Sequence, residues 1–288
     1  MHTFSINTRA LTLCGLSNNQ QTLGLHQDDV VIACHGWQDN SGSFAPLMRE
    51  LSLSLPFYAF DWAGHGLSQW RHPQAHYYFI DYVDDLHQII SQCQARRVHL
   101  VGHSLGAMVA SLYAACFGEH ISSLTLIEGI GLVYAEPEEA KALLIRALAQ
   151  RARGEKIREY PSAADLIARR LAISDFDESV GNELMARNIE PGPKGGVRLR
   201  TDPRIKHYSA FRYSEAQAHA LLDIIDVPTL LIKGTAGYSM VHQNEHKFAH
   251  HYSQLSAKVV AGGHHCHMQS ASECAELIGA HLRQSGAR

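Results

Sequence analysis

The segment Gly102-His103-Ser104-Leu105-Gly106 constrains this chain more than any other. It follows the apolar run Val98-His99-Leu100-Val101 and precedes a helix-forming run over residues 107–117. That pattern reads as a strand, a sharp turn and a helix. The small residues Gly102 and Gly106, two before and two after Ser104, permit a turn cramped enough to push the serine hydroxyl out at the top of a sheet. A serine presented in this way is a candidate nucleophile; the plainer alternative is a serine that begins a helix. An alcohol is weak at neutral pH, so a nucleophilic serine needs a general base within hydrogen-bond reach.

The rest of the chain supplies a sheet to hold such a turn. Short continuous apolar runs at residues 30–34 and 57–60 have the character of strands buried on both faces, and residues 98–101, 124–127, 229–232 and 257–261 read as further strands. Residues 3–13 alternate weakly and read as a first edge strand, with 21–26 as a hairpin partner. Residues 82–93, with Val83, Leu86, Ile89 and Ile90 on one stripe, predict a helix, as do residues 271–282. Strand and helix alternate, which implies a mostly parallel eight-stranded α/β sheet with helices on both faces. The alternation breaks over residues 131–219, where helical patterns (138–153, 163–172, 179–188) and a Gly/Pro-rich loop at 190–196 appear without a good strand. We therefore expect a core of residues 1–130 and 220–288, and a helical cap of residues 131–219 inserted after the sixth strand. Such a cap would lie over the carboxyl ends of the strands, where open α/β sheets bind ligands.

Bulk properties exclude several function classes. The 288 residues suit one α/β domain with an insertion. A formal net charge of -3 gives no broad attraction to nucleic acid or to an anionic membrane. The 20 histidines make the charge swing positive toward acidic pH. None of the six cysteines has C-x-x-C spacing, and most sit in apolar patterns as small hydrophobes. No signal-peptide core and no run near the roughly 18 apolar residues of a membrane span is present. These features point to a cytoplasmic chain with reduced thiols, no membrane span, no nucleic-acid partner, no cofactor and no metal. The oligomeric state stays open.

Four motifs occur in one order: His35-Gly36-Trp37 after the third strand, Asp61-Trp62-Ala63-Gly64-His65-Gly66-Leu67-Ser68 after the fourth, the Ser104 turn after the fifth, and Gly263-His264 after the eighth. Together they resemble the α/β-hydrolase superfamily. Within it the chain is similar to the serine hydrolase-like proteins, through His35-Gly36-Trp37-Gln38-Asp39-Asn40, Arg200-Thr201-Asp202-Pro203-Arg204-Ile205-Lys206 and His264-His265-Cys266-His267-Met268. The resemblance implies an α/β-hydrolase fold and a serine-based reaction.

In the resembled pattern the base follows a small residue after the last strand, which implies His264, with His265 as runner-up and His267 packing nearby. A Cys/His metal site there would need better-spaced ligands. The acid departs from the pattern: after the seventh strand, Gly234-Thr235-Ala236-Gly237 has glycine where an aspartate is usual. Asp226 precedes that strand, and a six-residue strand spans roughly 20 Å, so Asp226 belongs to the opposite end of the sheet. Glu245 falls in a helical stretch. Glu128, at the end of the sixth strand, lies one strand spacing of about 4.8 Å from the nucleophile strand and is the better candidate. One class of haloalkane dehalogenases in the resembled superfamily places a carboxylate there. A strand-end glutamate bonded to backbone amides is the alternative.

The oxyanion donors would be the backbone N–H groups of Trp37 and Leu105, the latter at a helix start whose dipole favours an anion. His35, Gly36 and His103 are supporting residues, Asp61 belongs to a structural loop, and Asp39 and Asn40 brace the loop after Trp37. The stripe Ala142, Ile145, Leu148 and Ala149 is expected to pack on the core. Arg200, Arg204 and Lys206 are expected to form a solvated basic face, with contact to an acidic substrate group as the alternative. The resulting expectation is a serine hydrolase that cleaves carboxylic esters or a related acyl bond in a small-molecule substrate through Ser104, His264 and Glu128. Acyl transfer, C–C hydrolysis or cofactor-free peroxidation by the same triad, and a non-catalytic ligand-binding role, are the rivals.

Overall fold

The computed structural model describes residues 1–20, 23, 28–51 and 55–287. Strands β1 (His2–Asn7), β2 (Thr12–Ser17), β3 (Asp29–Cys34), β4 (Phe57–Phe60), β5 (Arg97–His103) and β6 (Ser123–Ile127) come first. The chain then leaves the sheet and returns for β10 (Thr229–Gly234) and β11 (Leu255–Val260). They form one eight-stranded sheet in the order β1-β2-β4-β3-β5-β6-β10-β11. Only the β1–β2 and β2–β4 pairs are antiparallel. The parallel strands run in one direction, so every loop after β3, β5, β6, β10 and β11 opens at one end of the sheet.

Alternation along the strands divides the interior into two layers. Val30, Ile32, Cys34, Tyr58 and Leu100 face one cluster, shared with α2 (Phe79–Ser91), α3 (Leu105–Phe117), α7 (Glu215–Leu222) and α8 (Ser239–Phe248). Val31, Ala33, Phe57, Ala59 and Val101 face the other, under α1 (Ala45–Glu50), the short α9 (Cys266–Gln269) and α10 (Ala271–Gln284). Helix α2 buries Tyr82, Val83, Leu86, Ile89 and Ile90, as its 3.6-residue spacing requires. Its first turn is closed by the Asp81 carboxylate, which accepts from the N–H of Tyr78 at 3.1 Å.

Three features differ from expectation. Residues 3–13 are not one strand: Thr8 turns the chain by accepting the N–H of Leu11 on Oγ1 and donating to the Leu11 carbonyl, so β1 and β2 form the hairpin themselves. The proposed partner at 21–26 lies outside the described residues apart from Leu23. The excursion between β6 and β10 contains helices α4 (Ala140–Arg153), α5 (Ala163–Leu171) and α6 (Glu178–Ala186), but also a three-stranded antiparallel sheet of β7 (Glu159–Tyr160), β9 (Val197–Leu199) and β8 (Ile189–Pro191). Strands of two or three residues are too short to show a period, which is why they went unseen. Finally, the α4 stripe is solvent-facing: Ile145 and Leu148 are 58% and 52% exposed, and only Ala147 of this helix is buried. Helical spacing marks a face but not what covers it.

The Ser104 turn is pinned by close approach. A Cβ on Gly106 would stand 2.0 Å from the carbonyl oxygen of Cys34. Strand β3 and the start of α3 therefore touch backbone to backbone. Gly106→Ala must force them apart, at a cost of about 2 kcal/mol or more. Thermal unfolding should show a Tm lowered by about 3 °C or more; an unchanged Tm would mean the contact is looser than described.

Candidate active site

Ser104 sits between β5 and α3 with φ 52°, in the left-handed region. Its N–H bonds the Ile127 carbonyl at 2.9 Å, tying the turn to the end of β6. Among the described residues, non-glycine residues with such φ are Gln38, Ser104, Glu128 and Asp223, so three of them lie in loops at this end of the sheet. Backbone strain of this kind persists only where surrounding contacts impose it.

The loops bring Ser104, His264 and Glu128 into one relay. His264 Nε2 lies 2.8 Å from Ser104 Oγ, and its Nδ1 lies 3.1 Å from Glu128 Oε2. A carboxylate only accepts, so Nδ1 carries the proton and Nε2 presents a lone pair to the serine hydroxyl. Glu128 is 1% exposed, and its charge is met by three donors. Gly234 N–H reaches Oε1 at 2.8 Å, and Tyr238 N–H reaches Oε2 at 3.2 Å beside the His264 ring. The Tyr238 ring stacks on the imidazole at 4.0 Å between centroids and 14° between planes. Gly237 explains how the carboxylate fits: a Cβ there would meet Glu128 Oε1 at 2.2 Å. The Glu128 carboxylate fills the space that a side chain at position 237 would need.

The other carboxylates are elsewhere. Asp226 is bonded to Ser253 at 2.6 Å ahead of β10. Glu245 lies on α8, paired with Lys233. Asp61 is fully buried and accepts from the N–H groups of Ser41 and Leu67 and from Arg187 at 2.6, 2.9 and 2.9 Å, which makes it a brace for its own loop. Asn40 caps the turn Ser41–Phe44 by accepting from Gly42 N–H. His35 accepts the N–H of Trp62 on Nε2, so its Nδ1–H donates to the Gly36 carbonyl at 2.7 Å; burial lowers its proton affinity. Gly36 packs against the His103 ring, where a Cβ would stand 2.8 Å from Nδ1. This contact holds the loop after β3 against the Ser104 turn. The N–H of Gln38 is taken by His65 and that of Asp39 by the Gly36 carbonyl, whereas the N–H of Trp37 meets no acceptor among the described residues. Leu105 is the first residue of α3, where an amide precedes the helical ladder.

His265 has a different environment from His264. Its Nδ1 is 3.0 Å from Asp175 Oδ1 and its Nε2 is 3.2 Å from Asp39 Oδ2. Two carboxylates can be satisfied only by two N–H donors, so this ring is an imidazolium and has no lone pair for a base. Burial opposes the charge, yet Asp39 and Asp175 raise the pKa to about 9. Asp175, in the link between α5 and α6, also accepts the backbone N–H of His264, and Arg170 of α5 bonds Asp39 at 2.8 Å. His103 donates from Nε2 to the His264 carbonyl at 2.8 Å; burial first, then its histidine neighbours, keep it neutral. His267 is likewise held neutral by burial, with a pKa of about 3. Sequence reading missed Asp175, Arg170 and Tyr238, which carry no local motif.

Asp39, His103 and His265 present ligand-type atoms within 4.8 Å of one another. The protein's own cations already balance Asp39 there. His219, His250 and His251 form a second such group, in which His219 Nδ1 and His251 Nε2 lie 2.7 Å apart. Arg204 corrects the expected solvated basic face: it is bonded to Asp202 and to the carbonyls of Arg71, His72 and Ala75. Arg200 pairs with Glu190 at 3.0 Å.

The His265 cluster gives a pH dependence. A histidine whose folded pKa is raised contributes stability that is full below its unfolded value of about 6.5 and lost as pH rises through about 9. Asp175→Asn removes one charge partner, and the NMR titration midpoint of His265 should fall by about one unit or more. An unmoved midpoint would remove Asp175 as a source of the shift.

Comparison with known proteins bears on the fold and the family. A serine hydrolase-like protein of Dictyostelium discoideum is 28% identical over 86% of this chain and 73% of its own length. A probable serine hydrolase of Drosophila melanogaster is 29% identical over 91% of this chain and 83% of its own. The crystal structure of a hypothetical protein of Pseudomonas aeruginosa PAO1 superposes with a TM-score of 0.87, at 28% identity, covering 98% of this chain and 99% of that one. Among the described residues no helix is long and apolar enough to cross a membrane. The family model for the alpha/beta hydrolase fold matches residues 29–271, and the chain belongs to that family.

Proposed function

We propose that this protein is a serine hydrolase that cleaves carboxylic esters through Ser104, His264 and Glu128. The observation that carries the reading is the continuous hydrogen-bonded path from Ser104 Oγ through both His264 nitrogens to Glu128. Its relatives named as serine hydrolases support the same class of reaction. In this reading residues 1–130 and 220–288 form the catalytic unit and residues 131–219 form the cap, with α7 straddling the return to the sheet.

The reaction follows from the proton positions. His264 Nε2 takes the hydroxyl proton as Ser104 Oγ attacks the ester carbonyl carbon. The oxyanion that forms accepts from the N–H groups of Trp37 and Leu105. His264 then delivers the proton to the departing alcohol, leaving an acyl group on Ser104. Water, deprotonated by the same nitrogen, attacks the acyl carbon and releases the acid. Glu128 orients the ring and offsets its positive charge at each step. The glycine at 237 does not weaken this reading, because Glu128 supplies the carboxylate from the neighbouring strand.

Ser104→Ala should lower ester turnover on the order of 10⁵-fold or more and abolish labelling by a fluorophosphonate probe. Retained labelling would remove Ser104 from the reaction. Glu128→Gln should lower kcat by about 10⁴-fold, as expected when the ring loses its orienting carboxylate. Moving the acid back, in the double variant Glu128→Gly with Gly237→Asp, should recover activity at least about tenfold over Glu128→Gly alone, a coupling typical of groups that share one space. Absence of any recovery would show that position 237 no longer supports an acid.

A further inference from the structure

A cavity of about 390 Å³ lies where the excursion between β6 and β10 meets the loop after β3. Leu166 and Met185, both buried, give it apolar walls. Gln38 reaches it from the loop after β3, Arg169 and Arg170 from α5, and Lys206 from the turn Pro203–Lys206. No aspartate or glutamate lines it.

The cavity adjoins the candidate oxyanion loop. Gln38 follows Trp37 directly, and the Trp37 indole donates to the carbonyl of Ile205, the residue before Lys206, at 3.2 Å. Its cations are not equally spent. Arg170 is neutralised by Asp39 at 2.8 Å. Arg169 lies over the Tyr160 ring at 5.6 Å and, like Lys206, forms no ion pair among the described residues. Glu155, an acid near Lys206, is paired instead with His207 at 2.5 Å. Burial, and then Arg170, lower the proton affinity of Lys206. The chain as a whole is mildly acidic, with net charge -3, so this excess of cations is local. An apolar-walled cavity with unmatched cations suits a ligand that has an apolar stem and an anionic end.

We propose that this cavity is the acyl subsite, and that the substrate is an ester whose acyl part ends in a carboxylate, held by Lys206 and Arg169. The proposal deepens the serine hydrolase reading and rests on it for turnover, but not for binding.

Monomethyl adipate and methyl hexanoate differ in one terminal group, a carboxylate against a methyl. Acid release by the full chain should give kcat/KM at least about tenfold higher for monomethyl adipate, the worth of one charge-assisted contact. That ratio should fall toward one in Lys206→Met and in Arg169→Gln, and survive in Lys206→Arg. An equal or reversed ratio in the wild-type protein, or a ratio that survives in the double variant K206M/R169Q, would overturn the proposal. If neither ester is turned over, the hydrolase reading fails and calorimetry decides the present one. Adipate should then bind Ser104→Ala saturably and at least about tenfold more weakly when Lys206→Met is added; absence of adipate binding to Ser104→Ala would sink it.

Discussion

The buried carboxylate of Glu128 organises the end of the sheet that holds the candidate site. A charge that is 1% exposed is tolerated only where donors surround it, and here they come from two separate pieces of chain. Gly234 and Tyr238 supply amides from the end of β10 and the loop beyond it, and His264 supplies its ring N–H from the loop after β11. Glu128 itself leaves β6 with φ 48°. One side chain therefore fixes the relative position of three strand ends. Gly237 is its complement, since any larger residue would occupy the same volume.

Adjacent histidines have opposite electrostatic fates because of what faces them. His264 meets one carboxylate and one hydroxyl, so one nitrogen donates and the other stays free to accept a proton. His265 meets two carboxylates and is held charged. His103 and His267 lie within ring-contact distance of it, at centroid separations of 5.1 and 6.2 Å, and are kept neutral by burial. A second positive ring beside the first would be repelled in a site with little water. The cluster thus concentrates charge on His265 and leaves the ring beside Ser104 available for proton transfer in the proposed hydrolysis.

The excursion between β6 and β10 does more than cover the sheet. Arg170 and Asp175 complete the charge pattern around Asp39 and His265, and Arg187 neutralises the buried Asp61 at 2.9 Å. Each of these contacts joins the excursion to a loop after a sheet strand. Electrostatics thereby couples the position of the excursion to the geometry of the His264 loop. Its own small sheet, closed by the Gly/Pro-rich turn, pairs β9 with both β7 and β8 and so ties the chain around α5 and α6 together.

Local pattern carried the sheet, the flanking helices and the Ser104 turn, because strand and helix periods and turn glycines are written within a few residues of each other. It also pointed to Glu128, since strand order and a fixed strand spacing limit which carboxylates can approach β5. It ranked His264 ahead of His265 only through the family resemblance, and it did not foresee Asp175 or tell an exposed apolar stripe on α4 from a buried one. Those outcomes depend on which distant segment packs against a residue. Asp175 and the His264 amide are 89 positions apart, and Ser104 and His264 are 160 apart. A residue's type states what bonds it can make; folding decides which partners are close enough to make them.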